Sequence, residues 1–200
     1  MFTPTKILIN FFSFIQSMKH DIIPHLAELE HDCLERGIPI IGSEKGEWLQ
    51  GIVQKLKPKK ILELGTANGY SGIILGSTGA NVMTMEKEEA LAEEAGCNFE
   101  QFKTKAEVIV GDAVKMVHDL AENKRNQGAF DLIFIDFAKS KYLNVLEDCI
   151  TLVRKQGVII ADNITMPGCQ NYTKAVLQHK KLKTQLIEIK DGLSYSEKIA

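Results

Sequence analysis

"LELGTANGYSG", residues 62–72, decides how this chain is built. An apolar run of strand type stops at Gly65, and Gly69 and Gly72 follow as a helical pattern begins. A glycine-rich turn between a strand and a helix lets the backbone approach a ligand closely, and the helix N-terminus adds a partial positive charge. The spacing is G-x-x-x-G-x-x-G. A dinucleotide pyrophosphate calls for G-x-G-x-x-G, so a nicotinamide oxidoreductase is disfavoured.

Outward from this turn the pattern repeats. "KILEL" (60–64), "NVMTME" (81–86), "EVIVG" (107–111), "FDLIFID" (130–136) and "GVIIAD" (157–162) are short apolar strands. Helical stretches near 70–78, 87–103, 113–124 and 140–154 separate them. Such alternation predicts βαβ units and a parallel sheet covered on both faces. After a helix near 169–180, "LKTQLIEIK" and "LSYSEKI" flank Asp191-Gly192, a hairpin signal. The expected fold is therefore α/β: a doubly wound, seven-stranded, mostly parallel sheet ending in an antiparallel hairpin. Residues 1–57 read as extra N-terminal helices before a core at 58–200 of the same single domain. Two helices are expected over 5–36, with Asp21 as N-cap and Gly37 as stop, and a third over 44–56.

Composition sets the limits. An apolar fraction of 44% and a charged fraction of 25% are those of an ordinary globular chain that buries a core without disulfides. A net charge of −2 makes no global demand for nucleic acid or membrane. Cys33, Cys97, Cys149 and Cys169 form no C-x-x-C pair, which argues against a thiolate zinc site and fits a reducing cytoplasm. No apolar run is long enough for a membrane span. "KILINFFSFI" (6–15) resembles a signal-peptide core, but Asn10 and Ser13 interrupt it and no cleavage site follows. It reads as an amphipathic helix that packs on the domain or on a second subunit, giving a homodimer, with a membrane-surface helix as the other reading.

Three acids fall at or beside strand ends. Glu63 precedes the first glycine and suits a cationic amino-acid ligand. Glu86 closes the second strand, where a carboxylate accepts from both ribose hydroxyls. Asp112 follows the third strand and is placed to meet an adenine amino group. The carboxyl edge of such a sheet is its ligand edge, and together the three acids describe S-adenosylmethionine (SAM).

A second constellation stands on the next two strands. Asp136 ends the fourth and Lys139 follows; "VIIADNITMPG" (158–168) ends the fifth with Asp162-Asn163. Read singly, Asp136 is equally an ion-pair partner of Lys139, and Asp-Asn is equally a turn. Read jointly, two carboxylates and an amide oxygen are a hard, oxygen-only set that suits Mg²⁺ or Ca²⁺ better than zinc.

"PIIGSEKGEWL", "ILELGTANGYSG", "FDLIFIDFAKSKY", "VIIADNITMPG" and the closing "DGL" together resemble the cation-dependent O-methyltransferases, the family of catechol and caffeoyl-CoA O-methyltransferases. The resemblance runs from about Gly37 to the C-terminus. It implies a Rossmann-like class I methyltransferase in which Asp136, Asp162 and Asn163 bind Mg²⁺ (or Ca²⁺ or Mn²⁺) and Lys139 is the general base. Ile41, Glu63, Gly65, Ala67, Gly69, Ser71, Glu86, Asp112, Ala113 and Asp136 would line the methyl-donor pocket. The acceptor would be a small-molecule hydroxyl of catechol type.

The chain departs from the family in places. Phe137-Ala138 follows Asp136 where the family commonly has Ala or His-Trp, so an aromatic wall is displaced or missing. Gln185 falls where catechol O-methyltransferase carries an acid, with Glu188 the nearest acid. The connection from Asn163 to the hairpin is short for a large thioester acceptor. The chief rival acceptor is tRNA carrying 5-hydroxyuridine, gripped by a basic rim of the lysines in 172–190 and in "KLKPKK". A non-catalytic SAM-binding protein is the other alternative.

Overall fold

In the computed structural model, residues 21–200 are described. The apolar segment 6–15, the first expected helix and any dimer contact through it lie outside the described residues. The strands are β1 (Lys60–Leu64), β2 (Asn81–Glu86), β3 (Ala106–Val110), β4 (Phe130–Ile135), β5 (Val153–Asp162), β6 (Leu182–Ile187) and β7 (Leu193–Lys198). The α-helices are α1 (Ala27–Arg36), α2 (Gly42–Leu56), α3 (Tyr70–Gly76), α4 (Glu89–Gln101), α5 (Ala113–Glu122), α6 (Tyr142–Leu152) and α7 (Gln170–Gln178).

Among the described residues the seven strands form one sheet in the order β3-β2-β1-β4-β5-β7-β6. β1 to β5 are parallel, and β7 runs antiparallel to both β5 and β6. The expected doubly wound sheet with a terminal hairpin is therefore the observed one. Alternation along β4 explains why both faces are covered. Leu132 and Phe134 enter a core with Trp48, Leu49, Ile73 and Phe99 on one face. Ile133 and Ile135 enter the opposite core with Val117, Val145, Leu146 and Tyr172. Period-two side chains buried on both faces make a continuous apolar run, as a central parallel strand requires.

Gly37 is the expected stop of α1, whereas Asp21 does not cap it: α1 begins after Leu26 with no side-chain cap, and Asp21 stands before the preceding turn. Asp21 Oδ1 accepts the Ile23 N–H at 3.1 Å ahead of a short 3₁₀ turn, Ile23–Leu26. Gly37 stops α1 at φ 67, and the Ile38 N–H reaches back to the Cys33 carbonyl at 2.8 Å.

Two boundaries differ from expectation. β5 starts at Val153, directly after α6, because Gln156 takes φ 62 and a register shift opposite Phe130 and Leu132 absorbs the exposed residues 154–156. The hairpin turn is longer than Asp191-Gly192. Ile187 pairs with Leu193, so residues 188–192 all lie in the connection. The reason lies outside the hairpin: the Asp191 carbonyl accepts both the N–H (3.1 Å) and the hydroxyl (2.8 Å) of Thr165, in the loop leaving β5.

Candidate active site at the carboxyl edge of the sheet

The ligand edge is built where β1 separates β2 from β4, the switch point at which open α/β sheets bind their ligands. Ladder bonds continue past the strands: the Gly65 N–H donates to Met85 O at 3.0 Å and the Asp136 N–H to Leu64 O at 2.8 Å. The glycine turn and Asp136 are thus held side by side. Gly65 sits at φ 97, and a Cβ there would fall 2.0 Å from the Asp136 carbonyl oxygen. Only glycine satisfies both the backbone angle and the approach.

The three acids of this region divide. Glu86 turns back onto the glycine turn, accepting the Ala67 N–H at 2.8 Å and the N–H groups of Lys87 and Glu88 at 2.9 and 3.1 Å. Asp112 is exposed and caps α5, accepting the Lys115 N–H at 3.0 Å ahead of Ala113. Glu63 lies deepest of the three. It is fully buried, and its two oxygens receive the Ser71 and Thr84 hydroxyls at 2.6 and 2.7 Å. Burial pushes its carboxyl up to about 7 against those two hydrogen bonds, with the charges of Asp136 and Glu86 adding to the rise. Glu63 thereby ties β1 to the start of α3 and to β2. Ile41 is buried at the start of α2, and Gly69, at φ 93, faces Phe99.

Asp136 and Asp162 emerge side by side, because Ile135 of β4 pairs with Ala161 of β5. Lys139, on a 3₁₀ turn, brings its Nζ to Asp136 Oδ1 at 2.6 Å. The structure therefore brings Lys139, Asp136, Asp162 and Asn163 together. Burial and the adjacent Asp136 charge push Asp162 up, and Lys45 and the Asn163 N–H pull it down. Two carboxylates that repel one another beside a carboxamide are a donor set that a hard divalent cation fits. Among the described residues no three His, Cys, Asp or Glu side chains converge as a metal-holding group.

Two residues of this cluster were not found from sequence. Lys45 of α2 is buried, and its ammonium meets both Asp162 Oδ1 and Asp191 Oδ1. Asp191 also accepts from Asn163 Nδ2, at 2.5 Å. Burial would raise Asp191, but the hydrogen bonds from Lys45 and Asn163 outweigh it and hold the carboxyl below its usual range. A signal for Lys45 existed. It lies on the stripe of Trp48, Leu49 and Ile52, so a lysine occupies an apolar position of the helix.

Other expectations move away from the site. Gln185 pairs with Tyr195, two rungs below the top of the sheet and two strands from Asp162, and Glu188 is exposed in the turn. Asp191 is the acid that arrives instead. Phe137 stacks on Tyr142 (centroids 5.5 Å apart, 21° between planes), and Tyr142 meets Tyr172 edge-on, forming a floor beneath the site. The lysines of the expected rim divide, and Lys190 alone of those at the hairpin stands in the turn beside Asp191, with its Nζ near Gly42. Lys60 begins β1 and Lys183 pairs with Glu197 near the end of β7, so "KLKPKK" and the 180–183 cluster occupy the opposite edge of the sheet.

A family model for O-methyltransferases matches residues 15–199. The chain belongs to the O-methyltransferase family. It is 30% identical over 168 residues to catechol O-methyltransferase B of Danio rerio, covering 80% of this chain and 63% of that protein. It is likewise 30% identical over 156 residues to caffeoyl-CoA O-methyltransferase of Stellaria longipes, covering 72% of this chain and 63% of the relative. The chain thus spans less than two thirds of the length of either relative. The fold matches the crystal structure of an O-methyltransferase from Bacillus cereus in complex with SAH, with a TM-score of 0.77, 23% identity and coverage of 96% and 97% of the two chains. Among the described residues no helix is long and apolar enough to cross a membrane.

Proposed function

We propose that this chain transfers the methyl group of S-adenosylmethionine to a hydroxyl of a small catechol-like acceptor, with a divalent cation, Mg²⁺ in the first place, as cofactor. The observation that carries this reading is the delivery of Asp136, Lys139, Asp162 and Asn163 to one spot beside the Gly65 turn. The similarity to catechol O-methyltransferase supports the acceptor class.

In this reading the methyl donor lies along the Gly65–Ser71 turn, with Glu86 toward its ribose and Asp112 toward its adenine. Ile41, Ala67 and Ala113 supply the apolar sides. Asp136, Asp162 and the Asn163 side-chain oxygen would hold the cation, which would supply Lewis acidity toward the acceptor hydroxyl. Lys139 receives the acceptor's hydroxyl proton. The acceptor oxygen forms its bond to the methyl carbon as the carbon–sulfur bond breaks, and the neutral thioether leaves with the electron pair. Asp136 links the two halves, since its carboxylate faces Lys139 and its backbone abuts Gly65. Fixing donor and acceptor across that contact supplies the positional part of the rate enhancement.

The test is transfer from methyl-labelled SAM to a catechol panel and to bulk tRNA carrying 5-hydroxyuridine, with and without EDTA. EDTA-sensitive labelling of a catechol is expected. Labelling of tRNA alone moves the acceptor to RNA. Transfer that survives EDTA and the Asp162→Ala substitution overturns the metal-dependent mechanism.

A further inference from the structure

Asn163 presents a problem that a carboxylate ligand would not. The oxygen and nitrogen of a carboxamide are similar in size, so packing alone does not choose which of them faces a cation. Asn163 leaves β5 in the left-handed region, at φ 55, and its Nδ2 lies 2.5 Å from Asp191 Oδ2. An ionised carboxylate only accepts hydrogen bonds, so only the amide nitrogen can face Asp191. A flipped amide would set oxygen against oxygen on this side.

Asp191 is itself held. Its other oxygen meets the buried Lys45 ammonium, which also meets Asp162 Oδ1, and Asp162 Oδ1 accepts the Asn163 N–H at 2.8 Å. Lys45, Asp162, Asn163 and Asp191 thus close a ring of hydrogen bonds and ion pairs, drawn from α2, the end of β5 and the turn before β7. A buried ammonium cannot trade these partners for water without a large cost, so the ring is stiff. Thr165 secures the Asp191 backbone from the same loop.

We propose that Asp191 and Lys45 are positioning residues that lock the Asn163 carboxamide with its nitrogen toward Asp191 and its oxygen toward the cation shared with Asp136 and Asp162, an inference that rests on the metal-dependent reading above. Neither residue touches the cation. Their contribution is to make an amide behave as a preset oxygen donor, as partners behind metal ligands commonly do.

The experiment is Mn²⁺ titration followed by electron paramagnetic resonance on the full chain, without substrate, alongside thermal melts. Asp191→Ala is expected to weaken Mn²⁺ binding by about 10- to 100-fold, and Asp191→Asn to lose less, because its amide oxygen still accepts from Asn163. The decisive background is Asn163→Asp, in which both side-chain atoms are oxygens and no orientation has to be chosen. There Asp191→Asn is expected to leave Mn²⁺ affinity unchanged or to raise it, by removing a carboxylate facing a carboxylate. Should Asp191→Ala fail to fold, the Asp191→Asn pair in the two backgrounds carries the test. A ring that merely clasps the three elements predicts otherwise: a lowered melting temperature with Mn²⁺ affinity within twofold of wild type, or equal losses in both backgrounds. Either result overturns the positioning role. Absence of Mn²⁺ binding by the wild-type chain overturns the metal reading, and this proposal with it.

Discussion

Gly65 and Asp136 meet backbone to backbone: a Cβ on Gly65 would stand 2.0 Å from the Asp136 carbonyl oxygen and 3.1 Å from Phe137 Cβ. This contact joins the β1 turn, where a methyl donor would lie, to the β4 exit that carries Asp136 and leads to Lys139. Neither partner can yield cheaply, because one is a backbone carbonyl and the other sits at φ 97. Gly65→Ala is therefore expected to cost roughly 2–5 kcal/mol in urea unfolding, combining left-handed strain with overpacking. SAH binding by calorimetry should weaken in parallel. A fully stable Gly65→Ala protein with unchanged SAH affinity would show that the two segments are free to separate.

Glu63 gives stability a dependence on pH. Its folded carboxyl titrates at about 7, above the ordinary value of 4.5, so the folded protein keeps a proton that the unfolded chain has already lost. The sign follows: this contribution is fully present below about pH 4.5, declines as pH rises toward 7 and levels off above it. The interval corresponds to about 3 kcal/mol. Glu63→Gln is expected to be more stable than wild type at pH 8 and nearly equal at pH 4.5, measured by urea unfolding at both. An unchanged slope in the variant would assign the pH dependence to other groups.

Lys139 is expected to act on the chemical step. Lys139→Met should lower kcat about 10²- to 10⁴-fold with the preferred catechol. Affinity for SAH should stay within twofold, since Lys139 bonds Asp136 and not the glycine turn. A loss confined to KM would remove Lys139 from proton transfer.

Asp131 separates stability from function. It accepts the Arg154 Nε–H at 2.6 Å and the N–H groups of Lys59 and Lys60 at 2.8 and 2.9 Å, tying β1, β4 and β5 at the edge away from the site. Burial opposes its ionisation, but Arg154 and the two amides prevail and hold the carboxyl below 3.8. Its contribution is present above that value and fades as pH falls through the lower folded one. Asp131→Ala should cost about 0.5–1.5 kcal/mol near neutral pH, a net hydrogen-bond loss, since water reaches the freed amides. SAH and Mn²⁺ affinities should not change.

The alternation, the sheet class and the gathering of Asp136, Lys139, Asp162 and Asn163 at one edge were legible in the chain. Strand and helix periods, the glycine turn and the acids at strand ends are local signals, each readable within a few residues. Parallel strands of one sheet then deliver their ends to one edge without further information, which is how Asp136 and Asp162 could be paired on paper. Tertiary structure alone decided what depends on depth and direction. Lys45 meets Asp162 and Asp191 across 117 and 146 residues, and Asp191, which reads locally as a turn residue, is drawn inward by that buried ammonium. Glu63 reads as an acid beside the glycine turn, and only the packing reveals that Ser71 and Thr84 donate to both its oxygens. The lysines of "KLKPKK" and residues 180–183 add up to a rim only in one dimension; chain direction sends both clusters to the far edge of the sheet. Periodicity reports which face a side chain takes, whereas its partner across the fold is set by how the elements pack.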